Sequence, residues 1–155
     1  MPLILSGDTG PSFNQSAAMP TGSVLQVVQA TYTPTVTTSS TSYVTSNITV
    51  SITPKFATSK ILVIASIPFQ STASAQGCLT IFRNNTTDIS SSARGFGEQY
   101  GTSEIQAIAG INFLDSPATT ASTAYTIYFR SINGGTMRTC IDNCQAVITL
   151  QEIAG

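Results

Sequence analysis

Glu104-Ile105-Gln106-Ala107-Ile108-Ala109-Gly110-Ile111-Asn112-Phe113-Leu114-Asp115 carries an apolar side chain at every second position from Ile105 to Phe113, before Ser116-Pro117 breaks the run. Successive side chains of an extended strand point to opposite faces, so a period of two reads as a β-strand with one face on a core. Ala124–Ile132 alternates again and ends at Asn133-Gly134-Gly135, a strong hairpin-turn signal. Thr136–Cys140 and Gln145–Ile153 then read as a closing hairpin, with Val147, Thr149, Gln151 and Ile153 on one face.

The same signals recur upstream. Val24–Thr33 is β-branched and ended by Pro34; Ser42–Ile52 alternates until Pro54 stops it. Tyr43, Ile48, Val50 and Ile52 are its inward candidates, with a bulge near Ser46 to keep Tyr43 in phase. Lys60–Gln70 is nearly continuous in apolar residues and fits a strand buried on both faces. Gly77–Arg83 ends at the turn-like Asn84-Asn85, and the Gly- and Ser-rich Ser90–Gly101 reads as a long loop. No run has a helical period. The expected fold is all-β, an antiparallel β-sandwich or jelly roll of seven to nine short strands.

Residues 1–23 differ, with three Pro, three Gly and no sustained periodicity. They read as an extended N-terminal arm, and residues 24–155 as the β-sandwich domain. Fully extended, the arm would reach about 75 Å, enough to cross to a neighbouring subunit. Leu3, Ile4, Leu5 and Phe13 are its apolar residues, and they call for a partner surface.

Composition narrows the function. Six basic and seven acidic residues leave a net charge of −1, whereas 44 of the 155 residues are Thr or Ser. The surface is expected to be dressed in hydroxyls, with no basic footprint for nucleic acid. No apolar run approaches the roughly 18 residues of a membrane span, so no membrane insertion is expected. The first residues lack a basic n-region and an h-region, so a chain made without a secretion signal is expected.

Catalytic tools are scarce. Histidine is absent, and Asp8, Asp88, Glu98, Glu104, Asp115, Asp142 and Glu152 stand in no recognised catalytic spacing. No catalytic residue and no cofactor is expected. Three Cys without a CxxC pair do not make a zinc site either. Cys140 and Cys144 flank Ile141-Asp142-Asn143, and a tight turn there would let the sulfurs meet across a hairpin mouth as a disulfide. The preferred reading is two semi-buried thiols in a cytosol-made chain, and Cys78 packs as a small hydrophobe in a strand.

Two further features suggest surface roles. Tyr125 and Tyr128 lie three apart, so one faces in and the other out, where it would pack at a subunit interface or stack on a sugar. Arg94 and Tyr100 lie in the Ser90–Gly101 loop, the best receptor-contact candidate because binding groups concentrate on loops held by rigid scaffolds.

Four stretches in a fixed order carry a resemblance: Val24–Gln29, Ile52-Thr53-Pro54 with Thr58–Val63, Leu114–Thr120 before the Tyr-rich strand, and Ile148–Gly155. Together they are similar to domains of tail-fibre and other virion structural proteins of marine and freshwater bacteriophages, cyanophages included. The resemblance runs over about residues 24–155. It implies a trimeric β-sandwich on the virion surface and transfers no catalytic or binding residue.

The leading expectation is therefore a non-enzymatic short tail fibre or adhesin. Leu3, Ile4, Leu5 and Phe13 would dock it on the virion, and its β domain would contact a host-surface glycan or protein. The alternative is a capsid decoration (cement) or head-fibre protein stapling neighbouring capsid subunits. A cellular lectin and a glycan hydrolase rank below both.

Overall fold

A computed structural model of the protein describes residues 19–155. Through them run β1 (Val24–Tyr32), β2 (Val36–Thr38), β3 (Val44–Ile52), β4 (Lys60–Ser71), β5 (Gln76–Arg83), β6 (Thr87–Asp88), β7 (Gly97–Tyr100), β8 (Ile105–Asp115), β9 (Thr123–Ser131), β10 (Met137–Thr139) and β11 (Ala146–Ile153). The protein is all-β, and its strands form two antiparallel sheets.

β4 organises the first sheet. β8 pairs along the whole of one side of it, from Ile61 opposite Asp115 to Ser71 opposite Ile105. β11 and then β10 lie in tandem along the other side, and β1 and β2 complete the sheet beyond them. The second sheet runs β3-β9-β5, with β6 and β7 on the far side of β5. The sheets face each other across one core. Ile61, Val63, Ile67 and Phe69 of β4 meet Leu79, Ile81, Ile127 and Phe129 of β5 and β9. Phe69 and Phe129 touch edge to face at 6.4 Å. Each such side chain contributes about 1.5–3 kcal/mol by leaving water.

Alternation explains β8 as expected: Ala109, Ile111 and Phe113 face the core, while Ile108 and Leu114 are exposed. β4 departs from expectation. Ile61, Val63, Ala65 and Ile67 are buried, but Ile64 on its other face is exposed, so only its far end from Ile67 to Ser71 is covered on both faces. The apolar run is two faces of different fate, one in the core and one open on the sheet surface.

β3 also corrects its reading. Its register to β9 jumps from Thr45–Tyr128 to Thr49–Thr126, so two extra residues are inserted, including Asn47 at φ 64°. An even insertion preserves the alternation. Val44, Ser46, Ile48, Val50 and Ile52 turn inward, and Tyr43 lies on the outer face against Phe82 and Arg130. Ser46 is tolerated inside because its hydroxyl donates to the Ile127 carbonyl at 2.7 Å.

The closing hairpin does not form. β10 pairs with β2 and β4, and β11 with β1 and β4, so the two are collinear along β4. Asn133-Gly134-Gly135 does reverse the chain, with Gly134 at φ 80°, but it carries the chain from the second sheet to the first. Ser90–Gly101 is not a single loop, because β7 occupies Gly97–Tyr100 and pairs with β5.

Two carboxylates are buried, and the first of them ties the two sheets together. Asp115 on β8 accepts from Arg83 Nη1 at 2.8 Å on β5 and from the Tyr125 hydroxyl at 2.8 Å on β9. Glu152 on β11, fully buried, accepts from Gln26 Nε2 at 2.6 Å and from the Lys55 backbone N–H at 2.7 Å.

Candidate functional site

The strand registers give the body two distinct ends. Val24 stands opposite Ile153, Ile153 opposite Lys60, and Ile61 opposite Asp115, so the chain enters the sheet where β8 finishes. There the Gly22 N–H donates to the Ala154 carbonyl at 2.8 Å, and the Ala154 N–H returns a bond to Ser23 at 2.8 Å. Gly22 fits because its φ of +89° suits glycine best. The last residues of the 1–23 arm are thus bolted to the C-terminal strand. Leu3, Ile4, Leu5 and Phe13 lie outside the described residues.

Tyr100 lies at the other end. It pairs with Gln76, just beyond the turn that follows Ser71, and it is 59% exposed. The 12 residues of β4 separate the two ends by about 36 Å. Glu98 and Tyr100, two apart on β7, share the outward face. Arg94 forms an ion pair with Glu98, which also accepts from Gln76 Nε2. The structure therefore places Arg94 and Tyr100 on one exposed patch, with Arg94 already holding a carboxylate.

The segment before β7 is tethered. The Ile89 N–H donates to the Ile81 carbonyl at 3.1 Å, and the Phe96 N–H donates to that of Leu79 at 2.9 Å. Arg130 Nη2 donates to the Ala93 carbonyl at 3.0 Å, and the Phe96 ring packs on Phe113 with centroids 5.1 Å apart. Gly95 is needed at φ +66°, where a Cβ would stand 2.1 Å from the Leu79 carbonyl oxygen. The segment leading into the patch is thus pinned to β5, β8 and β9.

An aromatic cluster on the outer face of the second sheet went unread in the sequence. Phe82 lies 4.3 Å from Tyr128 and 6.0 Å from Tyr43 between ring centroids. The Arg130 guanidinium sits 4.9 Å over the Tyr43 ring, and the Tyr43 hydroxyl lies 3.3 Å from Cys78 Sγ. Burial, then the Cys78 contact, pushes the Tyr43 phenol well above its ordinary range, and Arg130 opposes the shift only in part. Tyr125 points inward and is fully buried, while Tyr128 points outward and packs on Phe82. The alternation of Thr80-Ile81-Phe82 carried a signal for Phe82, since Ile81 claims the inward position.

Cys140 and Cys144 are free thiols, and the disulfide alternative is not formed. With no hairpin there is no mouth for the sulfurs to span. Instead Cys140, Asp142 and Asn143 adopt φ of 53°, 53° and 58° in a one-turn jog between the collinear β10 and β11. Cys140 is buried, its Sγ 3.7 Å from the Tyr32 carbonyl, and Cys144 is exposed beside Gln106. Among the described residues, no group of three or more Cys, Asp or Glu is placed to hold a metal ion, and no helix is long and apolar enough to cross a membrane.

No protein-family model matches the chain, and no curated protein sequence matches it.

Proposed function

We propose that this chain is a non-enzymatic bacteriophage virion structural protein, a short tail fibre or adhesin built as a homotrimeric β-sandwich. Its N-terminal arm docks on the virion, and the far end of the β domain meets the host surface. The observation that carries this reading is bipolarity. The arm joins the body beside Ile153 and Asp115, and the Arg94–Glu98–Tyr100 patch stands at the opposite end. An adhesin needs an anchor and a presented surface kept apart in this way. The four ordered motifs that resemble phage structural proteins support the same reading, as does a surface rich in hydroxyls, which bonds sugars without the desolvation cost of charges.

The second reading, a capsid decoration or head-fibre protein, has its own observation. The outer face of the first sheet exposes Val24, Val27, Ile64, Ile108 and Leu114, a surface suited to lying flat on other subunits. Immunogold labelling and quantitative mass spectrometry of purified particles separate the two. A few to some tens of copies at the tail support the adhesin, and hundreds on the head support decoration. Absence from particles overturns both.

A further inference from the structure

The two outer faces of the body are unlike. Over the second sheet the chain lays its own segment 88–96. Thr80 Oγ1 donates to Asp88 at 2.6 Å, Arg130 Nη2 donates to the Ala93 carbonyl at 3.0 Å, and the outward Cys78 and Thr80 are fully buried. The outer face of the first sheet instead keeps exposed side chains. Leu114 is 46% exposed on β8 and Val27 54% on β1, and Ile64 stands open between them on β4.

The strand registers set this face out in rows. One row runs Leu114, Leu62, Gln151, Val27 across β8, β4, β11 and β1, and the next runs Asn112, Ile64, Thr149, Gln29. A third begins at Gly110, where a Cβ would meet nothing within 4 Å, and crosses Ser66 to Val147 and Thr31. No charged residue stands in any of the three rows, whereas Asp88, Arg94, Glu98 and Arg130 all lie on the second sheet's side. From Lys60 to Ser66, and across four strands, the face measures about 20 Å by 19 Å. That is roughly 400 Å² in plan, a size at which a bare patch is often functional.

We infer that this face is where copies of this chain pack on one another, with Leu62, Ile64 and Gln151 at the centre of the contact. Width selects the occupant. A single extended segment covers about one strand's width, whereas a sheet stacks on a sheet face to face at about 10 Å, and a second copy brings such a sheet. Charge points the same way. Copies related by a rotation axis bring like residues together, so a charge near the axis would meet its own kind. The three rows hold none, and Asn112 and Gln151 each carry both a donor and an acceptor with which to pair with their own counterparts. Depletion of charge is also what marks the core of an interface. The inference rests on the homotrimeric reading above and names the face that holds the trimer. Because β7 pairs with β5 in the second sheet, packing through the first sheet leaves Tyr100 presented.

The test uses the full purified chain, so it fails separately from the virion assignment. Sedimentation is expected to show a trimer at micromolar concentration. Ile64→Lys and Val27→Lys, both at exposed positions, are each expected to raise the concentration needed for assembly by about tenfold or more, with unchanged circular dichroism. Mixing Ile64→Lys chains with Ile64→Glu chains is expected to restore assembly, which calls for copies that meet at this face. A trimer that withstands both lysine variants would overturn the inference and leave the trimeric reading standing. Mixed chains that stay apart would give the face to another occupant, the chain's own arm or a capsid protein, and overturn it too. A parent chain that sediments only as a monomer would overturn the inference and the trimeric reading together.

Discussion

The Tyr125 hydroxyl donates to Asp115 Oδ2 at 2.8 Å, joining β9 of one sheet to β8 of the other at the chain-entry end of the body. Both partners are buried, and the Arg83 guanidinium completes the triad from β5. Burial, then the bond to Asp115, pushes the Tyr125 phenol far above its ordinary range, so it stays a donor at every physiological pH. Tyr125→Phe removes one buried hydrogen bond and is expected to cost about 1–2 kcal/mol in urea unfolding. Asp115→Ala strands both a buried hydroxyl and a partly exposed Arg83, so roughly 2–3 kcal/mol is expected. Equal costs for the two variants would refute the triad as drawn.

Glu152 makes stability depend on pH. Burial alone would raise its carboxyl, but the nearby Ser59 hydroxyl, the Gln26 amide and the Lys55 and Phe56 N–H groups outweigh it and hold the carboxyl below its usual value. A depressed carboxylate stabilises the fold fully above the ordinary Glu range, about 4.3. The contribution disappears as pH falls from there through the lower folded value. Glu152→Gln is expected to be less stable than the parent at pH 7, with the two converging in acid. Parallel stability curves down to pH 3 would contradict this.

Thiol chemistry reads out the jog at Cys140–Cys144. Only Cys144 is exposed, and burial pushes the Cys140 thiol up, so it is both hidden and protonated. One thiol is expected to react with a colorimetric disulfide reagent in the native protein, and all three after unfolding. Fewer than three in denaturant without reductant would reveal a disulfide.

The long strands were legible in the sequence because burial on one face imposes a period of two, whereas the two- to four-residue β2, β6 and β7 are too short to show it. Ile105–Asp115 and Val44–Ile52 show it plainly. Pairing was not. Asn133-Gly134 says that the chain turns, but a turn residue carries nothing about which sheet receives the next strand. The jog at Cys140–Asn143 was hidden for a related reason: Asp142 and Asn143 tolerate left-handed backbone, a property that also suits a hairpin. At Tyr43 the bulge was anticipated but its size was not, and an insertion of two leaves Tyr43 outside where one would bring it in.

Gly95 tests whether the Ser90–Phe96 segment is rigid by design. Gly95→Ala combines a φ of +66° with a Cβ 2.1 Å from a backbone oxygen. It is expected to cost roughly 1–3 kcal/mol and to loosen the segment, seen as faster amide exchange at Phe96. Protection unchanged at Phe96 would show that the segment accommodates a side chain.

The central proposal, an arm that anchors a separately folded β domain to a virion, is tested most directly by deleting residues 1–22 from the gene for this chain in a phage that encodes it. The account predicts a truncated protein that stays folded and soluble but is missing from purified particles. Truncated protein on virions at the occupancy of the full chain would contradict it.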